Sequence, residues 1–254
     1  MSRLTDAFSR AKAEGRTALV CYVMGGDGDT VALLRAIDGA GADIIELGLP
    51  FSDPIADGPG LQAAATRALG SGATVRSVLK AAAGLKLRAP IVTMGYVNPI
   101  ESMGNEKFAQ VLRDGGFEGA IVPDLPLEEA QPLRDALAAQ DLDLVPLVAP
   151  TTPRDRAAAI AKTARGFLYS VSVTGVTGAR TSLPADLEQR LADLRSLSPV
   201  PVAVGFGISK PEDAAKLKGK ADGVVVGTAL VATHHDRGVA AAADFVRSLK
   251  LALS

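Results

Sequence analysis

The sequence predicts an α/β protein, a (β/α)8 TIM barrel with an additional N-terminal helix, on three observations. Short, β-branched, continuously apolar runs recur eight times in 254 residues, and each is followed by an alanine-rich, charge-spotted stretch. Runs of this kind suit parallel strands buried on both faces. No linker or break in composition interrupts the series, so residues 1–254 are expected to form one domain. An open doubly wound sheet is the main rival, and it would need fewer strands or a topological reversal.

The elements follow in order. A helix over about residues 4–14 precedes the first strand and is placed to cover the bottom of a barrel. Strands are expected at 17–24 (TALVCYVM), 43–47 (DIIEL), 90–94 (PIVTM), 119–122 (GAIV), 143–148 (DLVPLV), 167–171 (FLYSV), 201–204 (PVAV) and 223–226 (GVVV). The helix over 31–40 carries Leu33, Leu34 and Ile37 at helical spacing, with Arg35 and Asp38 on the other side. Segments 75–87, 108–114, 128–139, 154–164, 185–196 and 211–218 behave alike. Thr152–Pro153 and Ser209–Pro211 place a capping hydroxyl and a proline near a first turn, and Gly41, Gly84, Gly115 and Gly166 stand where helices end.

Composition removes several classes of function. Lys+Arg total 27 against Asp+Glu 28, so there is no basic excess to neutralise a phosphate backbone, and nucleic-acid binding is not expected. Cys21 is the single cysteine, which excludes an internal disulfide and a cysteine-based zinc site. The first sixteen residues hold no apolar signal-peptide core, and no uninterrupted apolar run is long enough to span a membrane. A cytoplasmic protein is expected.

Two connections exceed what a strand-to-helix joint requires, 48–60 (GLPFSDPIADGPG) and 172–184 (SVTGVTGARTSLP). Both follow strands, so both belong on the C-terminal face, where barrel enzymes place their chemistry. Glu46 is a carboxylate near the end of an otherwise apolar strand. Facing inward it would be desolvated, its pKa raised, and it would make a proton shuttle near neutral pH. An ion pair at the barrel mouth is the alternative reading. Asp53 and Asp57 lie in the loop just downstream; such aspartates often only make turns, yet a strand-end carboxylate and a loop carboxylate can converge over one pocket.

Glycines form a second constellation: 174–178 (TGVTG), 205–207 (GFG) and Gly227-Thr228 follow the last three strands. They let backbone N–H groups approach an anion, and Thr228 can open a short helix whose N-terminus favours negative charge, so a phosphorylated ligand is expected. Lysines fall outside the expected strands, which argues against Schiff-base chemistry. His234 and His235 are adjacent and so do not face one another on a helix, which argues against a two-histidine metal site. Cys21, with no base nearby, reads as a core residue.

At this point the residues resemble a family. Residues 45–59 (IELGLPFSDPIADGP) look like the signature of the tryptophan synthase alpha subunit. The segments 94–99 (MGYVNP), 122–126 (VPDLP), 169–178 (YSVSVTGVTG) and 205–208 (GFGI) follow in family order. The resemblance implies a TIM barrel that cleaves indole-3-glycerol phosphate to indole and glyceraldehyde 3-phosphate in L-tryptophan biosynthesis. It implies no metal and no cofactor on this chain. The implied partner is a beta subunit carrying pyridoxal phosphate, in an α2β2 heterotetramer, met through the loop from Pro50 to Asp53. The resemblance makes Glu46 the acid–base residue and Asp57 the carboxylate beside the indole N–H. It puts Tyr22, Tyr96 and Tyr169 in the substrate pocket and the phosphate on Gly178, Gly207, Gly227 and Thr228. Thr177 would hydrogen-bond Asp57 when its loop closes.

The chain departs from the family pattern after the first strand, where 24–28 reads MGGDG in place of threonine and a Gly-Asp-Pro run. It also has Thr228 where serine is common. Two other readings stay open: an interaction subunit that chiefly activates a beta partner, and a stand-alone indole-releasing lyase.

Overall fold

The computed structural model describes residues 2–171, 186–205 and 207–254. The elements run α1 Arg3–Ala13, β1 Ala18–Met24, α2 Thr30–Ala40, β2 Ile44–Gly48, α3 Pro59–Gly70, α4 Val75–Ala82, β3 Ile91–Met94, α5 Val97–Met103, α6 Asn105–Gly115, β4 Gly119–Ile121 and α7 Gln131–Ala138. They continue with β5 Asp143–Val145, β6 Leu147–Val148, α8 Arg154–Lys162, β7 Leu168–Val171, α9 Leu187–Leu197, β8 Val202–Gly205, α10 Pro211–Ala215, β9 Gly223–Val226 and α11 Thr228–Leu253.

Every strand pairing is parallel, in the order β5-β4-β3-β2-β1-β9-β8-β7-β6. The two ends of that ladder are consecutive in sequence, so the sheet comes round on itself as a TIM barrel. The expected strand at 143–148 is therefore two segments. Proline has no N–H to give a ladder, and Pro146 interrupts this one. β5 pairs with β4 and β6 with β7, while the Pro146 carbonyl still accepts from the Tyr169 N–H at 3.0 Å.

Strand parity divides the core in two. Leu19, Cys21, Val23, Ile45, Leu47, Val202, Val204, Val224 and Val226 pack outward beneath the helices. Val20, Ile44, Val92, Ile121, Val145, Phe167, Ala203 and Val225 point inward, where they meet Leu4, Ala7, Phe8 and Ala11 of α1. α1 thus plugs the barrel floor, with the Phe8 and Phe167 rings 5.4 Å apart. Its first turn is capped by the Ser2 hydroxyl, which accepts from Thr5 N–H. Each large side chain buried in either layer contributes roughly 1.5–3 kcal/mol.

Several helices differ from expectation. α3 and α5 occupy segments for which no helix is expected, α3 starting at the end of the 48–60 connection. α3 buries Leu61, Ala64, Ala65 and Ala68, a helical period written almost wholly in alanine. α4 stops at Ala82, because the chain turns at Gly84 (φ +71°) and its N–H goes to Gly115 O. α11 is long rather than short and kinks at Gly238, whose φ of +81° suits glycine. Neither expected capping hydroxyl caps: Thr152 Oγ1 accepts from Ala149 N–H, and Ser209 donates to the Asp213 carboxylate. No helix among the described residues is long and apolar enough to cross a membrane.

Candidate active site

Glu46 stands on β2 with the parity of Ile44, so its side chain enters the barrel one layer above the α1 plug. In register it lies beside Tyr22 of β1 and Val92 of β3. The residue is 1% exposed, and its Oε2 has no hydrogen-bond partner among the described residues. Burial, with a smaller contribution from the charge of Asp57, pushes the Glu46 carboxyl up to about 8. An inward carboxylate on a dry strand without a cation is costly as a purely structural feature. The ion-pair alternative has no partner here: none of the ion pairs formed among the described residues involves Glu46.

Asp57 arrives from the β2–α3 connection and is 6% exposed. Its N–H donates to Pro54 O, and its carbonyl accepts from Gln62 Nε2 at 2.9 Å, which ties the loop end to the first turn of α3. Burial raises its carboxyl to about 6, opposed by a hydrogen bond from the Tyr96 hydroxyl. That hydroxyl also accepts the Ala56 N–H at 3.2 Å, and the Tyr96 ring packs against Phe51 with centroids 5.5 Å apart. Asp124 accepts from Val97 N–H at 3.0 Å and so anchors the start of α5, just after Tyr96. Both carboxyls are raised, Glu46 further than Asp57, and that ordering suits Glu46 as the proton donor and Asp57 as the carboxylate.

Between them lies a cavity of about 750 Å³, within the size range of small-molecule sites. Tyr22, Glu46, Asp57, Leu61, Tyr169 and Ile208 line it, together with Gly207, Gly227 and Thr228. Tyr22 is buried and Tyr169 half-buried beside both carboxyls, and desolvation raises both phenols well above their usual range. Their hydroxyls fit because Gly48 and Gly205 lack side chains: a Cβ on Gly48 would collide with Tyr22 Oη, and one on Gly205 would come within 2.7 Å of Tyr169 Oη. At the Gly227–Thr228 end, α11 begins without a side-chain cap, so its first N–H groups are available to an anion.

A family model described as tryptophan synthase alpha chain matches residues 8–251. The chain belongs to the tryptophan synthase alpha family. Family members are the subunit that cleaves indole-3-glycerol phosphate in tryptophan biosynthesis, a lyase reaction carried on a TIM barrel. The tryptophan synthase alpha chain of Carboxydothermus hydrogenoformans is 48% identical over 236 residues, spanning 91% of this chain and 88% of the relative. That of a Picosynechococcus strain is 46% identical over 264 residues, covering both in full. Among solved structures, tryptophan synthase from Mycobacterium tuberculosis superimposes with a TM-score of 0.92 at 36% identity, over 99% of this chain and 98% of that one.

The fold brings Glu46, Asp57, Tyr22, Tyr169, Gly207, Gly227 and Thr228 to one cavity. Tyr96 lies a layer behind it, holding Asp57. Thr177, Gly178 and the rest of the long 172–184 connection lie outside the described residues. Sequence reasoning gave no site role to the liners Leu61, Leu125, Leu127, Ile208 and Ser209. Leu125 stands in the VPDLP segment, which carries the family resemblance without a charged group to mark its role. His234 is half-buried and His235 exposed, and Cys21 is a fully buried core residue whose thiol burial pushes up.

Proposed function

We propose that Glu46 and Asp57 carry the retro-aldol cleavage, with residues 1–254 acting as one barrel domain. The observation that carries this reading is the pair of buried carboxyls on one cavity with pKa values held apart, about 8 and about 6. Indole is a poor leaving group until C3 is protonated. Protonated Glu46 delivers a proton to C3, and the positive charge that develops at N1 is met by the Asp57 carboxylate. The carboxylate left on Glu46 then takes the proton of the hydroxyl on the carbon attached to C3. The C–C bond breaks, its electron pair returns to the indole ring, and the aldehyde forms. Glu46 ends the cycle protonated, so the step balances without another reactant.

Tyr22 and Tyr169 flank the reacting centre, and Gly207, Gly227 and Thr228 take the phosphate at the start of α11. Thr177 and Gly178 belong to the same reading as a closing contact to Asp57 and a phosphate contact. The partner is the beta subunit, which carries pyridoxal phosphate, in an α2β2 assembly in the cytoplasm; no cofactor is assigned to this chain. The β2–α3 connection supports a contact there: Ser52 and Asp53 are exposed, and Ile55 is 80% exposed, a large apolar side chain left to solvent. The test is the pH dependence of indole release. A bell in kcat/KM with limbs near 6 and 8 is expected, the lower lost in Asp57→Asn. A flat profile across that range would remove the pair from the mechanism.

A further inference from the structure

Asp27, in the turn after β1, is a buried carboxylate, 8% exposed, outside the cavity. It receives a two-pronged bond from Arg67 of α3, Nε to Oδ1 at 2.9 Å and Nη2 to Oδ2 at 2.6 Å. Just beyond the helix, Ser71 Oγ donates to Gly26 O at 3.3 Å, a second tie to the same turn. At its other end α3 begins at Pro59, two residues after Asp57. Arg67 lies about 12 Å farther along the axis.

The face that α3 buries is Leu61, Ala64, Ala65 and Ala68, packed with Tyr22, Met24 and Val231. Alanines offer no large knobs, so this packing resists sliding and rotation weakly. A fork-on-carboxylate pair is directional, and both the height and the roll of the helix follow from it. Movement of α3 carries Asp57 with it, because the first turn holds the Asp57 carbonyl through Gln62.

We propose that Arg67 and Asp27 are positioning residues for the cleavage: their ion pair sets the placement of α3, and so the depth at which Asp57 faces Glu46. The inference rests on the role proposed above for Asp57. The groups around Asp57 are Glu46 on β2, Tyr22 on β1, Tyr96 at the start of α5 and Tyr169 on β7. Those around the pair are His234 and Asp236 of α11, with His235 beside His234.

The experiment compares wild type, Asp57→Asn, Arg67→Gln and the double variant Asp27→Asn/Arg67→Gln. Each is assayed for indole release with the beta subunit present, over a range of pH, with thermal unfolding of each protein alongside. The double variant removes the pair without leaving a buried charge alone. With α3 released, Asp57 is expected to be more solvated. In the folded double variant kcat should fall roughly tenfold or more, with KM changed less, and the acid limb should move down from about 6 toward that of an ordinary aspartate. A merely structural role would lower the folded fraction and leave that limb in place. A double variant with its limb unmoved and kcat within roughly twofold of wild type overturns the inference. Arg67→Gln alone, if it fails to fold, leaves the double variant as the deciding protein. Full activity in Asp57→Asn overturns the reading beneath it as well, a result distinct from failure of the inference alone.

Discussion

Glu46 and Asp57 show how one cavity can hold an acid and a base from the same functional group. Glu46 sits on a strand, almost wholly buried and with no cation paired to it among the described residues, while Asp57 sits at a loop end with a phenol to bond. Folding raises the Glu46 pKa from 4.5 to about 8, so between those values the folded chain holds a proton that the unfolded chain releases. Its contribution to stability is full below the lower value and is lost as pH rises through the upper one. Glu46→Gln removes that dependence, and unfolding midpoints should show the variant close to wild type at acid pH and more stable above pH 8. Equal stability at both ends would mean that Glu46 is solvated in the folded chain. Its identity as a candidate was legible, because a lone carboxylate in a run of isoleucine and leucine has few uses. Asp57 was harder to read, since loop aspartates commonly only make turns; the family motif around it was the stronger signal.

At the scale of elements, α1 and the start of α11 bear different loads. α1 closes the barrel floor with Phe8 against Phe167, so Phe8→Ala should lower unfolding free energy by about 3–5 kcal/mol in a urea titration. A loss within experimental error would mean that the floor does not depend on this plug. The start of α11 lies in the cavity, and Gly227 has a φ of −119° with only ordinary contacts around an added Cβ. Gly227→Asp should therefore fold well, since aspartate caps a helix, yet its carboxylate should repel the phosphate. Steady-state kinetics should show KM raised roughly tenfold or more, with kcat less affected. An unchanged KM would place the phosphate elsewhere. Strand positions were legible because their apolar runs are unambiguous. α3 was not, because alanine carries little hydrophobic contrast, and the break at Pro146 needed knowledge of which neighbour each half of the strand would pair with.

For the whole molecule, nearly all of the architecture was legible, since eight strand–helix units in one uninterrupted chain leave few alternatives. The depth of the carboxyls and the span of the cavity depend on three-dimensional placement, which spacing alone does not give. The exposed Ile55 beside the loop from Pro50 to Asp53 belongs to this scale too. Ile55→Asp should weaken association with the beta subunit roughly tenfold or more in a binding titration, and undiminished binding would put the contact on another face. The most direct measurement of the central claim is indole release from indole-3-glycerol phosphate by wild type and Glu46→Gln, each with the beta subunit present. The proton role of Glu46 calls for a loss on the order of a thousandfold in the variant, with substrate binding retained. Wild-type turnover in folded Glu46→Gln would contradict it.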